Sequence, residues 1–121
     1  FLFPTNLEES CPLSALESMA CGTPVVAYAR GSIPEIIKDG ETGFIINPSD
    51  NDIRGDWIIK KTGVEGLCEA IEKIYSMTED KYQKMRQNCR THVEKNFTAG
   101  RMAEEYLKIY KTVVSDQNLY Q

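Results

Sequence analysis

The first 50 residues of this 121-residue sequence predict an α/β fold with a parallel sheet covered on both faces, followed by helices from about residue 63. Two observations carry that reading. Short apolar runs that are too continuous for one-sided strands alternate with helical segments bounded by Gly and Pro, which is the pattern of βαβ units. Beyond residue 63 the apolar residues recur at three- and four-residue steps, the period of helices alone.

Three runs read as strands: residues 1–4 (Phe-Leu-Phe-Pro), 24–28 (Pro-Val-Val-Ala-Tyr) and 43–46 (Gly-Phe-Ile-Ile). Residues 12–20 read as a helix with Pro12 near its first turn and Gly22 just past its end. A shorter helix over 33–38 is closed by Asp39-Gly40. Three strands fall short of the roughly five or six of an average sheet, so the segment reads as the second half of a doubly wound sheet. Its first strands would lie upstream of Phe1, and an opening on Phe rather than Met fits a piece of a longer protein. Residues 48–62 form a polar loop with an apolar knot at Trp57-Ile58-Ile59, long enough to carry a short strand or hairpin. A helix from Val64 with Leu67, Cys68, Ile71, Ile74 and Tyr75 on one stripe, a second over 79–95 and a third over 99–114 complete the chain, with 116–121 fraying.

With 41% hydrophobic and 26% charged residues, the chain has the composition of a soluble globular protein. A net charge of -4 and a pI near 5.0 exclude attachment to nucleic acid through a generally basic surface. No run approaches the roughly 18 to 20 apolar residues that span a bilayer, and no signal-peptide pattern is present. Cys11, Cys21, Cys68 and Cys89 lack metal-ligand or C-x-x-C spacing, which suggests reduced thiols, no metal, and a cytoplasmic location.

Chemistry concentrates between Glu9 and Pro24. On a helix begun near Pro12 the apolar stripe is Leu13, Leu16 and Ala20, and Glu17 falls on it. An unpaired carboxylate buried there would cost roughly several kcal/mol, so it should face a polar cleft or a partner. Glu9 lies in the loop between the first strand and the helix, at the sheet edge where ligands of this architecture bind. Two carboxylates beside a helix N-terminus suit a ligand with hydroxyls and phosphate, that is, a sugar nucleotide. The residues alone equally allow Glu17 at the stripe's edge reaching solvent or an arginine, and Glu9 as a solvated loop residue.

The ordered blocks Glu9–Pro24, Val25-Val26-Ala27, Gly31-Ser32-Ile33-Pro34-Glu35-Ile36-Ile37 and Asp39-Gly40-Glu41-Thr42-Gly43-Phe44 resemble the C-terminal domain of retaining, nucleotide-sugar-dependent glycosyltransferases of the GT-B fold, the group 1 or family 4 type. The resemblance extends to about Val114, including the Asn96-Phe97-Thr98 step. It implies that the whole chain, residues 1–121, is part of a Rossmann-like donor-binding domain. It also implies a nucleoside diphosphate sugar as partner, no cofactor, and an acceptor domain upstream that could bring peripheral membrane contact. By it Glu17 would hold the ribose, Glu9 would contact the transferred sugar at the catalytic centre, and Leu13 would lie near the diphosphate through its backbone amide. Where many members carry Gly-aromatic-Gly, this sequence has Ser10-Cys11-Pro12. Proline offers no N–H, so Ser10 or Cys11 would have to compensate. Ser32 stands where a second glycine is common, and the family's basic pair for the phosphates would lie upstream.

The remaining candidates read more plainly. His92 is expected on a solvated helix face, Cys11 in a small capping or packing role, and Met102, Tyr106 and Tyr110 in core or interdomain packing. Arg30 suits either an anionic ligand or a surface ion pair, and Lys60-Lys61 suits solvent. The rival functions are a non-catalytic binding or assembly module, or another GT-B enzyme such as a sugar-nucleotide epimerase or an inverting transferase.

Overall fold

The computed structural model describes residues 1–117. Its elements run β1 (Leu2–Phe3), α1 (Leu13–Ala20), β2 (Val25–Tyr28), α2 (Ile33–Ile36), β3 (Gly43–Ile46), α3 (Gly63–Tyr75), α4 (Glu79–Asn96) and α5 (Ala99–Gln117). The strands form one parallel sheet in the order β1-β2-β3, with Val26 between Leu2 and Phe44. This is the α/β, Rossmann-like arrangement that the sequence predicts.

Every residue of β2 and β3 is buried. Because side chains alternate along a strand, each strand feeds two cores. Val25, Ala27 and Ile45 meet Ala15 and Met19 of α1 and Ile33, Ile36 and Ile37 around α2. Val26, Tyr28, Phe44 and Ile46 meet Leu67 and Ala70 of α3, with Ile59 and Met85. Burying a side chain such as Met19 completely contributes about 1.5 to 3 kcal/mol. β1 is covered less well, and Leu2 keeps 45% of its surface exposed.

Helix α1 starts one residue later than the sequence suggests. Pro12 is its N-cap, buried and extended at φ -72° and ψ 93°, so Leu13 is the first helical residue. The buried stripe is then Ala15 and Met19, with Leu16 partly buried, rather than Leu13, Leu16 and Ala20. Leu13 and Glu17, one turn apart, share the exposed face. The small side chain of Ala15 lets α1 settle on that side, which the apolar count alone favoured less.

At the other end of α1, Gly22 adopts φ +72°; its N–H donates to Met19 O at 2.9 Å and that of Thr23 to Ser18 O at 3.0 Å. This double bond pattern closes the helix. Two arginines of α4 then satisfy carbonyls there: Arg86 Nε donates to Gly22 O at 3.1 Å and Arg90 to Ala20 O at 2.7 Å. Helix α4 lies along the amino edge of the sheet, opposite the ligand-binding edge of such folds. Its Cys89 thiol donates to Thr42 O at 3.2 Å.

His92 corrects the sequence reading, for it is buried. Its Nε2 donates to Ile36 O at 2.9 Å, Nδ1 accepts from Asn96 Nδ2 at 3.1 Å, and Phe97 stands edge-on to its ring. It ties α4 to the end of α2.

Residues 48–62 are the loop that the sequence predicts, and they carry neither a short strand nor a hairpin, only one isolated bridge, Ser49 to Asp52. In α3 the buried line is Gly66, Leu67 and Ala70 with Ile74 packed beside it, while Val64, Cys68, Ile71 and Tyr75 are exposed. The apolar residues of α3 thus occupy two stripes, and the sheet takes the one with the small residues. α4 closely matches its expected span. α5 runs on to Gln117, where fraying was expected from 116, and residues 118–121 lie outside the described residues. All side chains from 99 to 115 are exposed, so Met102, Tyr106 and Tyr110 form no core in this chain. Among the described residues no helix is long and apolar enough to cross a membrane.

Candidate functional site

Three loops leave the carboxyl ends of the parallel strands: residues 4–12 after β1, 29–32 after β2 and 47–62 after β3. In an open parallel sheet this edge is where ligands bind. The three loops are bound to one another.

The turn after β2 touches the loop after β1 at close range. Ser32 N–H donates to Glu9 O at 2.9 Å, and Gly31 N–H donates to Glu8 Oε2 at 2.5 Å. Gly31 adopts φ +49°, and a Cβ there would overlap the Glu9 main chain. Arg30 and Arg54 both reach Glu8 Oε1, at 3.1 and 2.7 Å. Asp52 answers both guanidinium groups from the other side, at 2.9 Å to Arg30 and 2.8 Å to Arg54. Four charges of balanced sign therefore join all three loops. The Gly31 amide, and after it the two guanidinium groups, hold the Glu8 carboxyl below its usual range. The Arg54 hydrogen bond foremost does the same to Asp52.

The loop after β3 is ordered by one buried side chain. Asn47 Oδ1 accepts from Arg54 N–H at 2.8 Å, Gly55 N–H at 3.2 Å and Trp57 Nε1 at 3.2 Å, while its Nδ2 donates to Gly55 O at 2.9 Å. Asp39 fastens the far side, accepting from Ile45 N–H and Ile58 N–H. A long loop without secondary structure is thereby fixed through side-chain acceptors.

Each residue singled out from the sequence has a definite place. Glu9 is half-buried in the loop after β1; Ser10 and Cys11 are exposed just before the buried Pro12; Leu13 and Glu17 are exposed on the first two turns of α1. Cys11 makes no cap, since no side chain caps α1. The first intrahelical bonds run from Ala15 and Leu16 N–H to Pro12 O, which leaves the Leu13 and Ser14 amides without helical acceptors. Leu13, Leu16 and Cys11 also line one wall of an apolar groove of about 470 Å³, whose other wall is Phe97, Ala99 and Met102. Arg30 serves the ion-pair reading, shared between Glu8 and Asp52. Lys60 pairs with the exposed Asp56 at 2.5 Å.

Sequence reasoning missed Glu8, Asn47, Asp52 and Arg54. Glu8 was masked by its neighbour Glu9. Asn47, the first polar residue after the apolar run of β3, was the available signal for a loop anchor. In the β2–α2 turn Arg30 Nε and Ser32 Oγ are buried without a partner.

Residues 1–55 match the sequence model of a family described as glycosyl transferases group 1. The chain is 31% identical to N-acetyl-alpha-D-glucosaminyl L-malate synthase of Bacillus anthracis over 109 residues, 90% of this chain and 25% of that protein. It is 34% identical to D-inositol 3-phosphate glycosyltransferase of Paenarthrobacter aurescens over 110 residues, 91% of this chain and 23% of that protein. It thus spans about a quarter of the length of the curated relatives it matches. Sucrose-phosphate synthase of Thermosynechococcus elongatus superposes with a TM-score of 0.68 at 25% identity, over 93% of this chain and 26% of that one. An Anabaena protein, HepE, solved with UDP, shares the fold at a TM-score of 0.59 and 18% identity, over 92% of this chain and 27% of that one.

Proposed function

We infer that this chain, which belongs to the group 1 glycosyltransferases, is the donor-binding segment of an enzyme that moves a sugar from a nucleoside diphosphate to an acceptor hydroxyl, with retention at the anomeric carbon. One observation carries this: Glu9 and Glu17, separated by seven residues, flank the uncapped start of α1 at the carboxyl edge of a parallel sheet.

The roles follow from what each group offers. Glu17, exposed on α1, has two acceptor oxygens for the vicinal hydroxyls of a ribose. Glu9, half-buried between two strand-end loops, is suited to the hydroxyls of the transferred sugar. Departure of the diphosphate builds negative charge, and preorganised donors stabilise such charge better than a carboxylate nucleophile would. The unpaired Leu13 and Ser14 amides and the positive end of α1 supply donors here. Arg30 is committed to Glu8 and Asp52, so the amides carry that task within this chain. Further cations and the acceptor site would come from sequence outside it. Glu9 and Glu17 position the donor and need not attack it.

The test is calorimetric titration of the full-length protein carrying this chain with UDP-glucose, UDP-N-acetylglucosamine, GDP-mannose and ADP-glucose. Glu17→Ala should weaken the binding of whichever donor the wild type takes by roughly ten- to a hundredfold, the loss of one charge-assisted bond. Equal affinity in the variant would remove Glu17 from the site, and no binding by the wild type would favour a non-catalytic module.

A further inference from the structure

We propose that the loop after β3 is a strap over the β1–α1 turn, with Arg54 as the positioning residue that sets Glu9 toward the donor sugar. The inference rests on the donor-site reading above.

The strap is anchored at both ends. Asn47, buried at the end of β3, binds the Arg54 and Gly55 amides and so fixes where the Arg54 side chain begins. From there the guanidinium reaches Glu8 at 2.7 Å and Asp52 at 2.8 Å. Glu8 and Glu9 share a peptide bond, so holding the Glu8 carboxylate against Arg54 restrains the backbone from which the Glu9 side chain starts. The Glu9 carbonyl is pinned independently by the Ser32 amide, which leaves rotation of the Glu8–Glu9 unit as the remaining freedom. Gly31 and Arg54 restrain it through the two different oxygens of the Glu8 carboxylate. Arg30 restrains Glu8 less, because its Nη1 alone serves both Glu8 at 3.1 Å and Asp52 at 2.9 Å, whereas Arg54 gives Nη1 to Glu8 and Nε to Asp52.

The lever matters because reacting groups tolerate little misplacement: an error of about 1 Å can lower a rate by ~100-fold. Glu17 and the α1 amides lie on the helix, outside the reach of the strap. Loss of Arg54 should therefore impair handling of the sugar and spare the nucleotide. A residue that merely stabilises the fold would affect both alike.

In the full-length protein, Arg54→Met should lower kcat with the bound donor about tenfold, by partial loss of that positioning. Affinity for the nucleoside diphosphate without sugar should stay at the wild-type level. Arg54→Lys should recover part of the rate, since it keeps the charge and loses the fork. Should Arg54→Met fold poorly, Glu8→Gln reports on the same contact and should show the same selective loss; the double variant should be no worse than the poorer single one. Lys60→Met, in the same loop but outside the network, should behave as wild type. Wild-type kcat in both Arg54→Met and Glu8→Gln, or a loss shared equally by nucleotide and nucleotide-sugar binding, overturns the strap. If Glu17→Ala in parallel still weakens nucleotide binding, the donor-site reading stands without it; if Glu17→Ala is silent, that reading is what has failed.

Discussion

A Cβ added to Gly31 would lie 2.2 Å from the carbonyl oxygen of Glu9 and 2.7 Å from its nitrogen. Backbone meets backbone there, so neither side can give way by a rotamer change. Gly31→Ala should also pay the strain of φ +49°. The expected destabilisation is about 1 to 3 kcal/mol or more, read as a lowered urea midpoint with unchanged slope. A midpoint equal to wild type would show that the β1–α1 loop can retreat from the turn.

Asn47 is 7% exposed and makes four hydrogen bonds to the loop it anchors. Asn47→Ala would leave the Arg54 and Gly55 amides and the Trp57 indole without their acceptor, a loss of roughly 2 to 4 kcal/mol. Asn47→Asp keeps the acceptor oxygen and should be milder. Amide hydrogen exchange across residues 52–58 should accelerate in the first variant before the rest of the fold is affected.

The cysteines should separate by reactivity. Cys11, Cys21 and Cys68 are exposed, whereas burial pushes the Cys89 thiol up to about 11. The thiolate is the reactive form, so alkylation of the folded protein near neutral pH should label Cys11, Cys21 and Cys68 and spare Cys89, read by peptide mass spectrometry. Denaturant should expose Cys89 to the reagent, and fast labelling of Cys89 in buffer would contradict the packing of α4 on Thr42.

Acid should loosen the strap. Folded Glu8 and Asp52 both titrate below their ordinary values of 4.5 and 3.8, held there by the Gly31 amide and by Arg54 respectively. A lowered folded value means that the stabilisation is complete above the unfolded value and drains away as pH falls toward the folded one. The difference in melting temperature between wild type and Arg54→Met should thus be flat from about pH 8 to about pH 5 and shrink below about pH 4.5. Because the four groups sit near solvent, added salt should reduce the same difference. A difference that grows on acidification would refute the assignment.

Much of the architecture was legible because it is local. β2 and β3 announced themselves as continuous apolar runs, and the helices α3, α4 and α5 as long periodic patterns with turn residues between them. Where two local choices were nearly equal, the sequence could not decide. On α1 a stripe through Leu13 and Leu16 has more apolar surface than one through Ala15 and Met19, but the sheet accepts the flatter side. On α3 the same preference chose Gly66 and Ala70 over Val64 and Ile71. Close approach of a helix to a buried sheet rewards small residues, a property of the partner surface that hydropathy does not encode. His92 was misjudged for a related reason: the carbonyl of Ile36 that satisfies it lies 56 residues away in the chain.

The order of strands and helices, the glycines at the turns, the glutamate pair and its station beside a helix start were all written into the order of residues, since each depends on neighbours a few positions apart. The joining of Glu8, Arg30, Asp52 and Arg54 was decided only when three loops met at one sheet edge. Ion pairs between residues 22 to 46 positions apart have no local signature, because what brings them together is the sheet beneath them and not the chain between them.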